Sequence, residues 1–375
     1  MKSLFLLDPS ILFFNHGSFG ACPKPVFDVY QQWQLELERQ PVAFLGRRVD
    51  GFLDEARAAL ATYLHVERGD DLVFVQNATA GVNVVAKSLP LQPGDEILTT
   101  DHEYGACNTT WQRVCAKTGA VLVERTVTLP LVSDEVFIDD LWAGVTPKTR
   151  VIYLSHITSP TALIFPVTEI CRRARQAGII TVIDGAHAPG QFPLDLTQID
   201  ADFYTGNCHK WMCSAKGSAF LHVRREHQAW LEPLVTSWGY TVGDTFISRH
   251  QMQGTRDPAA FLSVPAAIQF LHDHNWDLVR DACHDLAVSL RQEILALTGL
   301  APICDDTHFP QMFTVQLPPC DPAVIKTRLY DDYHVELPVF TWKDRQYLRV
   351  SIQGYNTPDE GEQLLSALRK VLAPT

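Results

Sequence analysis

Two neighbouring stretches decide how this chain reads: ITVIDGAHAPG at residues 180–190 and DFYTGNCHKWM at 202–212. The first is an apolar run, Ile179 to Ile183, that ends in a carboxylate, Asp184, followed at once by Gly185 and by His187. The second is a short β-prone run that ends in a polar loop carrying Lys210. An acid at the C-terminal end of a buried strand faces the crevice where α/β proteins bind ligands. A lysine at the edge of the next strand can enter the same crevice.

An acid paired with a pyridinium nitrogen and a lysine forming a Schiff base are the two protein groups that pyridoxal 5'-phosphate (PLP) chemistry requires. On these stretches alone, Asp184 as a turn cap and Lys210 as a surface charge fit equally well. Three further loops, each just past an apolar run, bear on the choice. QNATAGVN (76–83) opens a helix with small residues, so its N–H groups can approach an anion and Thr79 adds a hydroxyl. DHEYGACNTTW (101–111) offers Tyr104 as a flat ring to stack on a planar cofactor. SHITSPTALIFP (155–166) gathers His156, Thr158 and Ser159, which tight-turn bonding around Pro160 also explains. Near the C-terminus, YLRVSIQGYNT (347–357) sets Arg349 on an alternating strand, where a guanidinium can grip a carboxylate bidentately.

The alternation of short apolar runs with helical patterns from Leu72 to Ile183 argues for βαβ units and a mostly parallel sheet flanked by helices. Residues 1–22 read as an N-terminal arm, 23–257 as a large α/β domain and 258–375 as a small α+β C-terminal domain. The last opens with a helical pattern from Pro258 to about Leu297, broken at Asn275-Trp276, and continues with short strands at Met312–Gln316, Val335–Pro338 and Tyr347–Ser351. A dinucleotide-binding dehydrogenase would need a glycine-rich fingerprint after the first strand. Gln76–Gly81 has a single glycine, so that reading fails.

The totals exclude other classes. With 375 residues, 46% hydrophobic and 20% charged, the chain has an ordinary globular composition and room for two domains. Its net charge of −12 disfavours nucleic acid or an anionic membrane as partner. The nine cysteines form no C-x-x-C pair and suit a reducing compartment, with no metal site. The start, MKSLFLLDPS, is too short an apolar stretch for a signal-peptide core, so a cytoplasmic location is expected.

Taken in order, these pieces resemble the class V aminotransferase group of fold-type I PLP enzymes, which includes cysteine desulfurases, kynureninases and isopenicillin N epimerases. The likeness is carried by Asp-Gly-Ala-His at 184–187, His209-Lys210 and the Arg-x-Ser-x-x-x-Tyr-Asn-Thr run at 349–357. It implies that Lys210 carries the cofactor, Asp184 pairs with the ring nitrogen, His187 lies on the O3′ side and Tyr104 stacks on the ring. It further implies that Ala78, Thr79, Asn207 and His209 surround the phosphate, that Arg349 binds the substrate carboxylate, and that the enzyme is a homodimer. Gly254 and Thr255, in QGTRD, would then reach the partner's phosphate site.

NHGSFG (15–20), PVAFLGRR (41–48) and VELPVFTW (335–342) look most like the isopenicillin N epimerase subgroup. That likeness implies chemistry at Cα of an α-amino acid: epimerisation first, with Tyr104 as proton donor on the second face, then C–S lysis or β-elimination, then transamination. No cysteine lies between Val335 and Arg349, which disfavours a persulfide-forming desulfurase. Arg47, Arg48, His156 and Arg256 are candidates to hold a second anionic group of the substrate. A fold that had become a binding module would show loss of the lysine or the ring acid, and both are present.

Overall fold

The apolar runs assemble into one large sheet in the computed structural model, which describes residues 1–373. Twelve strands form among the described residues. In chain order they are β1 (Leu12–Phe13), β2 (Leu72–Val75), β3 (Glu96–Thr100), β4 (Val121–Arg125), β5 (Thr149–Ser155), β6 (Ile180–Asp184), β7 (Phe203–Asn207), β8 (Ala219–Val223), β9 (Met312–Leu317), β10 (Val335–Glu336), β11 (Val339–Trp342) and β12 (Arg345–Ser351).

The large sheet has the order β2-β8-β7-β6-β5-β3-β4. Only β8 runs against the others, pairing antiparallel with both β2 and β7. Successive side chains of a strand point to opposite faces, and here both faces are covered. Phe74, Leu98, Ile152, Ile183 and Tyr204 belong to one apolar cluster. Their chain neighbours Val73, Ile97, Val151, Val182 and Phe203 belong to the cluster on the other side. That is why these strands read as continuous apolar runs rather than alternating ones. The six parallel strands all end at one edge of the sheet. Asp184 is itself the last residue of β6, one residue further along than the sequence pattern places the strand end.

The C-terminal part holds a three-stranded antiparallel sheet, β11-β12-β9. The expected helical run from Pro258 is three helices, Ala259–Leu262, Val264–Asp273 and Trp276–Thr298, and the break falls where Asn275 adopts a left-handed conformation with φ 48°. The strand expected over Val335–Pro338 is only two residues of β10, and it pairs with β1 rather than with the small sheet. The N-terminal arm is therefore stitched to the C-terminal part, through Leu12↔Val335 and Phe13↔Glu336 and through an ion pair between Lys2 and Glu360. It also contains a short helix, His16–Phe19. No helix among the described residues is long and apolar enough to cross a membrane.

Candidate active site

The loops past the parallel strand ends meet in a cavity of 350 Å³. The helix Ala78–Ser88 starts at its wall. Asn77 caps that helix by accepting from Ala80 N–H at 2.8 Å, and Asn207 at the end of β7 accepts from Ala78 N–H at 2.9 Å. These two side chains occupy the flanking donors of the first turn. Thr79, between them, lines the cavity with its hydroxyl and N–H available to an anion. The helix can sit this close to β7 because Gly81 has no side chain: a Cβ there would come within 2.2 Å of Thr205 Oγ1.

Asp184 is buried, and each of its oxygens is engaged. Oδ1 accepts Ala186 N–H at 2.9 Å; Oδ2 accepts the Tyr153 hydroxyl at 3.3 Å and the Cys107 thiol at 3.6 Å. Burial pushes its carboxyl above the usual range, while these donors and the Lys210 charge pull it back.

Lys210 stands in the loop after β7 with its Nζ 3.2 Å from His187 Nε2. Burial, reinforced by the Arg349 charge, lowers its amine to about 7. The loop is fixed from behind: His16 in the arm bonds the Lys210 carbonyl at 3.0 Å through Nε2 and the Tyr355 hydroxyl at 3.0 Å through Nδ1. His209 turns its Nδ1–H onto the Ser218 carbonyl at 2.8 Å, leaving Nε2 unused by that bond.

Arg349, buried on β12, donates to the Ser159 carbonyl and, at 3.3 Å, to the hydroxyls of Ser159 and Ser18. Its Nε is buried without a partner. A buried guanidinium N–H without an acceptor is costly to leave so. Burial lowers its pKa to about 10, which leaves it charged at neutral pH.

The cavity thus brings together Ala78, Thr79, Tyr104, Asp184, His187, Asn207, His209, Lys210 and Arg349. Six expected residues lie elsewhere. His156 does not line the cavity, although Ser155 and Ile157 on either side of it do. The alternation of the backbone after β5 turns its ring inward, onto the Tyr204 hydroxyl at 2.8 Å and edge-on against Phe192. Arg47 is exposed in the segment Phe44–Arg48, outside the cavity. Gly254 and Thr255 are exposed, outside the cavity of their own chain. Neither Arg48, paired with Glu36, nor Arg256, lying over the Phe261 ring, lines it. Sequence reasoning missed Ser18, Tyr153 and Cys107. The first sits in the irregular NHGSFG segment, and Tyr153 shares the parity of Ser155 on one strand.

The donor set suits PLP: a helix N-terminus with a free hydroxyl, a buried hydrogen-bonded carboxylate, a lysine held near neutrality and an unpaired guanidinium N–H. With the doubly covered mixed sheet, it defines a PLP-dependent enzyme of fold type I. The chain belongs to the aminotransferase class-V family, whose sequence pattern matches residues 20–364. It is 36% identical to an isopenicillin N epimerase of Amycolatopsis lactamdurans, over 97% of this chain and 96% of that protein. It is 26% identical to a probable chloroplastic L-cysteine desulfhydrase of Arabidopsis thaliana, over 96% of this chain and 83% of that one. Its fold is similar to the apo structure of a cysteine desulfurase from Thermococcus onnurineus NA1, with a TM-score of 0.86, 19% identity, and 99% and 97% of the two chains covered.

Proposed function

We propose that the protein acts at Cα of an α-amino acid and inverts its configuration, as an epimerase or racemase. The observation that carries this reading is that Lys210, Tyr104 and Arg349 line one cavity from three separate elements. Arg349 holds the substrate carboxylate, and two different groups are then placed to move a proton at Cα. PLP bound here supplies an electron sink for the charge released at Cα.

Lys210 holds that cofactor and, when free, takes the Cα proton; an amine held near 7 is suited to a base working at neutral pH. Asp184 holds the ring nitrogen in its charged form. His187 sits on the O3′ side, Thr79, Ala78, Asn207 and His209 surround the phosphate, and Tyr104 covers the ring and returns a proton from the other face. The 36% identity to an isopenicillin N epimerase over nearly the whole chain supports this order of preference.

C–S lysis or β-elimination without a catalytic cysteine is the second reading, supported by the identity to a desulfhydrase. Cys107 is an unsuitable nucleophile: burial and the neighbouring Asp184 charge push its thiol well above the usual range. Transamination stands third.

We also infer a homodimer in which Gly254 and Thr255, exposed here, complete the phosphate site of the partner. We further infer a cytoplasmic enzyme without nucleic-acid or anionic-membrane partners, a reading that the net charge of −12 supports.

One experiment separates the reactions. Single enantiomers of a panel of amino acids are incubated with holoenzyme in deuterated water, and the products are resolved by chirality and mass. Loss of enantiomeric purity with deuterium at Cα is the expected result. Release of ammonia with pyruvate or sulfide indicates elimination, and stoichiometric 2-oxo acid without inversion indicates transamination; either outcome sinks the epimerase reading. Borohydride reduction followed by peptide mapping must place the cofactor on Lys210, and Lys210→Ala must lose both the label and at least about 10²-fold in rate.

A further inference from the structure

Beside the cofactor cavity lies a second one of 420 Å³ that shares Tyr104, Ser159 and Arg349 with it. Arg349 therefore stands between the two. The far wall of the second cavity is apolar and comes from the small sheet: Pro338 before β11, then Phe340 and Trp342 on it. Residues two apart on a strand share a face, so both rings turn the same way. Phe340 stacks on Tyr347 with ring centroids 6.2 Å apart, and Trp342 meets His102 edge-on at 4.5 Å. The wall is held by packing and is not a loose loop.

Apart from Arg349, the charged groups around this cavity are already engaged. Lys343 lies over the Trp342 ring, with 4.8 Å from Nζ to the centroid, and is ion-paired with Asp101. That pair pins the hairpin between β11 and β12 to the loop after β3. Glu103, which also lines the cavity, is buried and accepts from Thr100 Oγ1 at 2.7 Å and from Ser155 N–H and Oγ at 2.7 and 2.6 Å. A side-chain anion here would face the Asp101 carboxylate with Lys343 already paired to it, a Glu103 carboxyl that burial raises to about 7, and an Arg349 assigned to the α-carboxylate. An apolar or aromatic group would instead find aromatic surface. The volume lies in the range of sites that take drug-sized ligands.

We propose that this second cavity is the side-chain subsite of the enzyme, and that its substrates are α-amino acids with a bulky uncharged side chain that lies against Phe340 and Trp342. Alanine, with too little to bury, and glutamate, with a second carboxylate, are poor ligands. This rests on the assignment of Arg349 as the α-carboxylate clamp beside the cofactor.

The test uses the holoenzyme and reads binding by the change in cofactor absorbance, which reports occupancy whether or not turnover follows. L-Alanine, L-glutamate, L-leucine and L-phenylalanine are titrated. Phenylalanine is expected to bind at least about tenfold more tightly than alanine or glutamate. Phe340→Ala and Trp342→Ala should each lower the phenylalanine-to-alanine affinity ratio, and Trp342→Phe, which keeps an aromatic wall, should retain it. Equal affinities across the series, an unchanged ratio in both alanine variants, or a Trp342→Phe as unselective as Trp342→Ala would each overturn the subsite. Borohydride labelling distinguishes this from failure of the underlying reading: label on Lys210 with no selectivity removes the subsite alone, whereas no label on Lys210 in the unmodified enzyme removes both.

Discussion

His187 directs its one proton at Lys210. The Trp211 indole N–H can only donate, and it lies 3.2 Å from His187 Nδ1, which must therefore accept. Burial keeps the His187 ring neutral, so its proton sits on Nε2, 3.2 Å from Lys210 Nζ. The amine at that distance receives this hydrogen bond with its lone pair, which requires the uncharged form. Burial and this hydrogen-bond direction both favour the uncharged amine, which titrates at about 7.

That neutrality has a signature in stability. The Lys210 amine titrates at about 7 in the folded chain and near 10.5 when unfolded. Between those values the unfolded state binds more protons, so this group makes the cofactor-free protein more stable as pH rises through the window. Lys210→Met should remove the contribution: its melting temperature should exceed that of the cofactor-free parent most at pH 7 and converge with it toward pH 10. A constant difference across that range would mean that Lys210 is charged in the fold.

How much of this was legible in the sequence depended on whether local pattern or chain crossing decided the feature. The buried parallel strands β2, β5, β6 and β7 were readable because two-sided burial leaves apolar runs, and residues at and just past their ends line the cavity. β8 was missed: AFLHV at 219–223 is short, carries a histidine, and owes its strand state to pairing with β2 and β7. β11 was missed because Phe340 and Trp342 sit on a two-sided hairpin near Pro338. His156 was misplaced by a single step of backbone parity. The contact of the arm with the Lys210 loop, through His16, joins residues 194 positions apart, and no local pattern encodes that.

Burial raises the Asp184 carboxyl, and Cys107 and Tyr153 add to the Ala186 N–H and the Lys210 charge in lowering it. Tyr153 and Cys107 both donate to its Oδ2 and stabilise the ionised carboxylate against burial. Tyr153→Phe should therefore raise the Asp184 pKa further and move the acid limb of the kcat/KM profile to higher pH, with Cys107→Ala acting in the same direction. The rate loss should be larger at pH 6 than at pH 8. A uniform loss at all pH values would indicate damaged packing rather than a displaced titration.

Gly20 lets the arm cross the Lys210 loop. Its φ is 72°, and a Cβ there would lie 2.0 Å from the His209 carbonyl oxygen and 2.9 Å from Lys210 Cα. The obstacle is backbone, which cannot rotate away. Gly20→Ala should cost on the order of 1–3 kcal/mol from backbone strain alone and should displace the loop that carries Lys210. The expected result is a lower melting temperature together with slower cofactor labelling, whereas Gly46→Ala, where a Cβ meets nothing within 4 Å, should change neither. Full labelling and unchanged melting in Gly20→Ala would show that the arm does not hold the loop.

Arg349 borders both cavities, so in the proposed reading substrate recognition and selectivity both turn on it. Its bonds to Ser159 and Ser18 aim the guanidinium, and the unpartnered Nε is the donor a carboxylate would engage. Arg349→Ala should raise the dissociation constant of α-amino acids by an amount corresponding to about 2–5 kcal/mol. Arg349→Lys should recover little, since a lysine supplies a point charge and not a planar pair of donors. Borohydride labelling of Lys210 should persist in both variants, because the cofactor is held by other residues. Amines that lack the carboxylate should bind all three proteins with similar weakness. If Arg349→Ala binds the amino acid as tightly as the parent does, the clamp is another group, and the side-chain subsite loses the anchor that orients it.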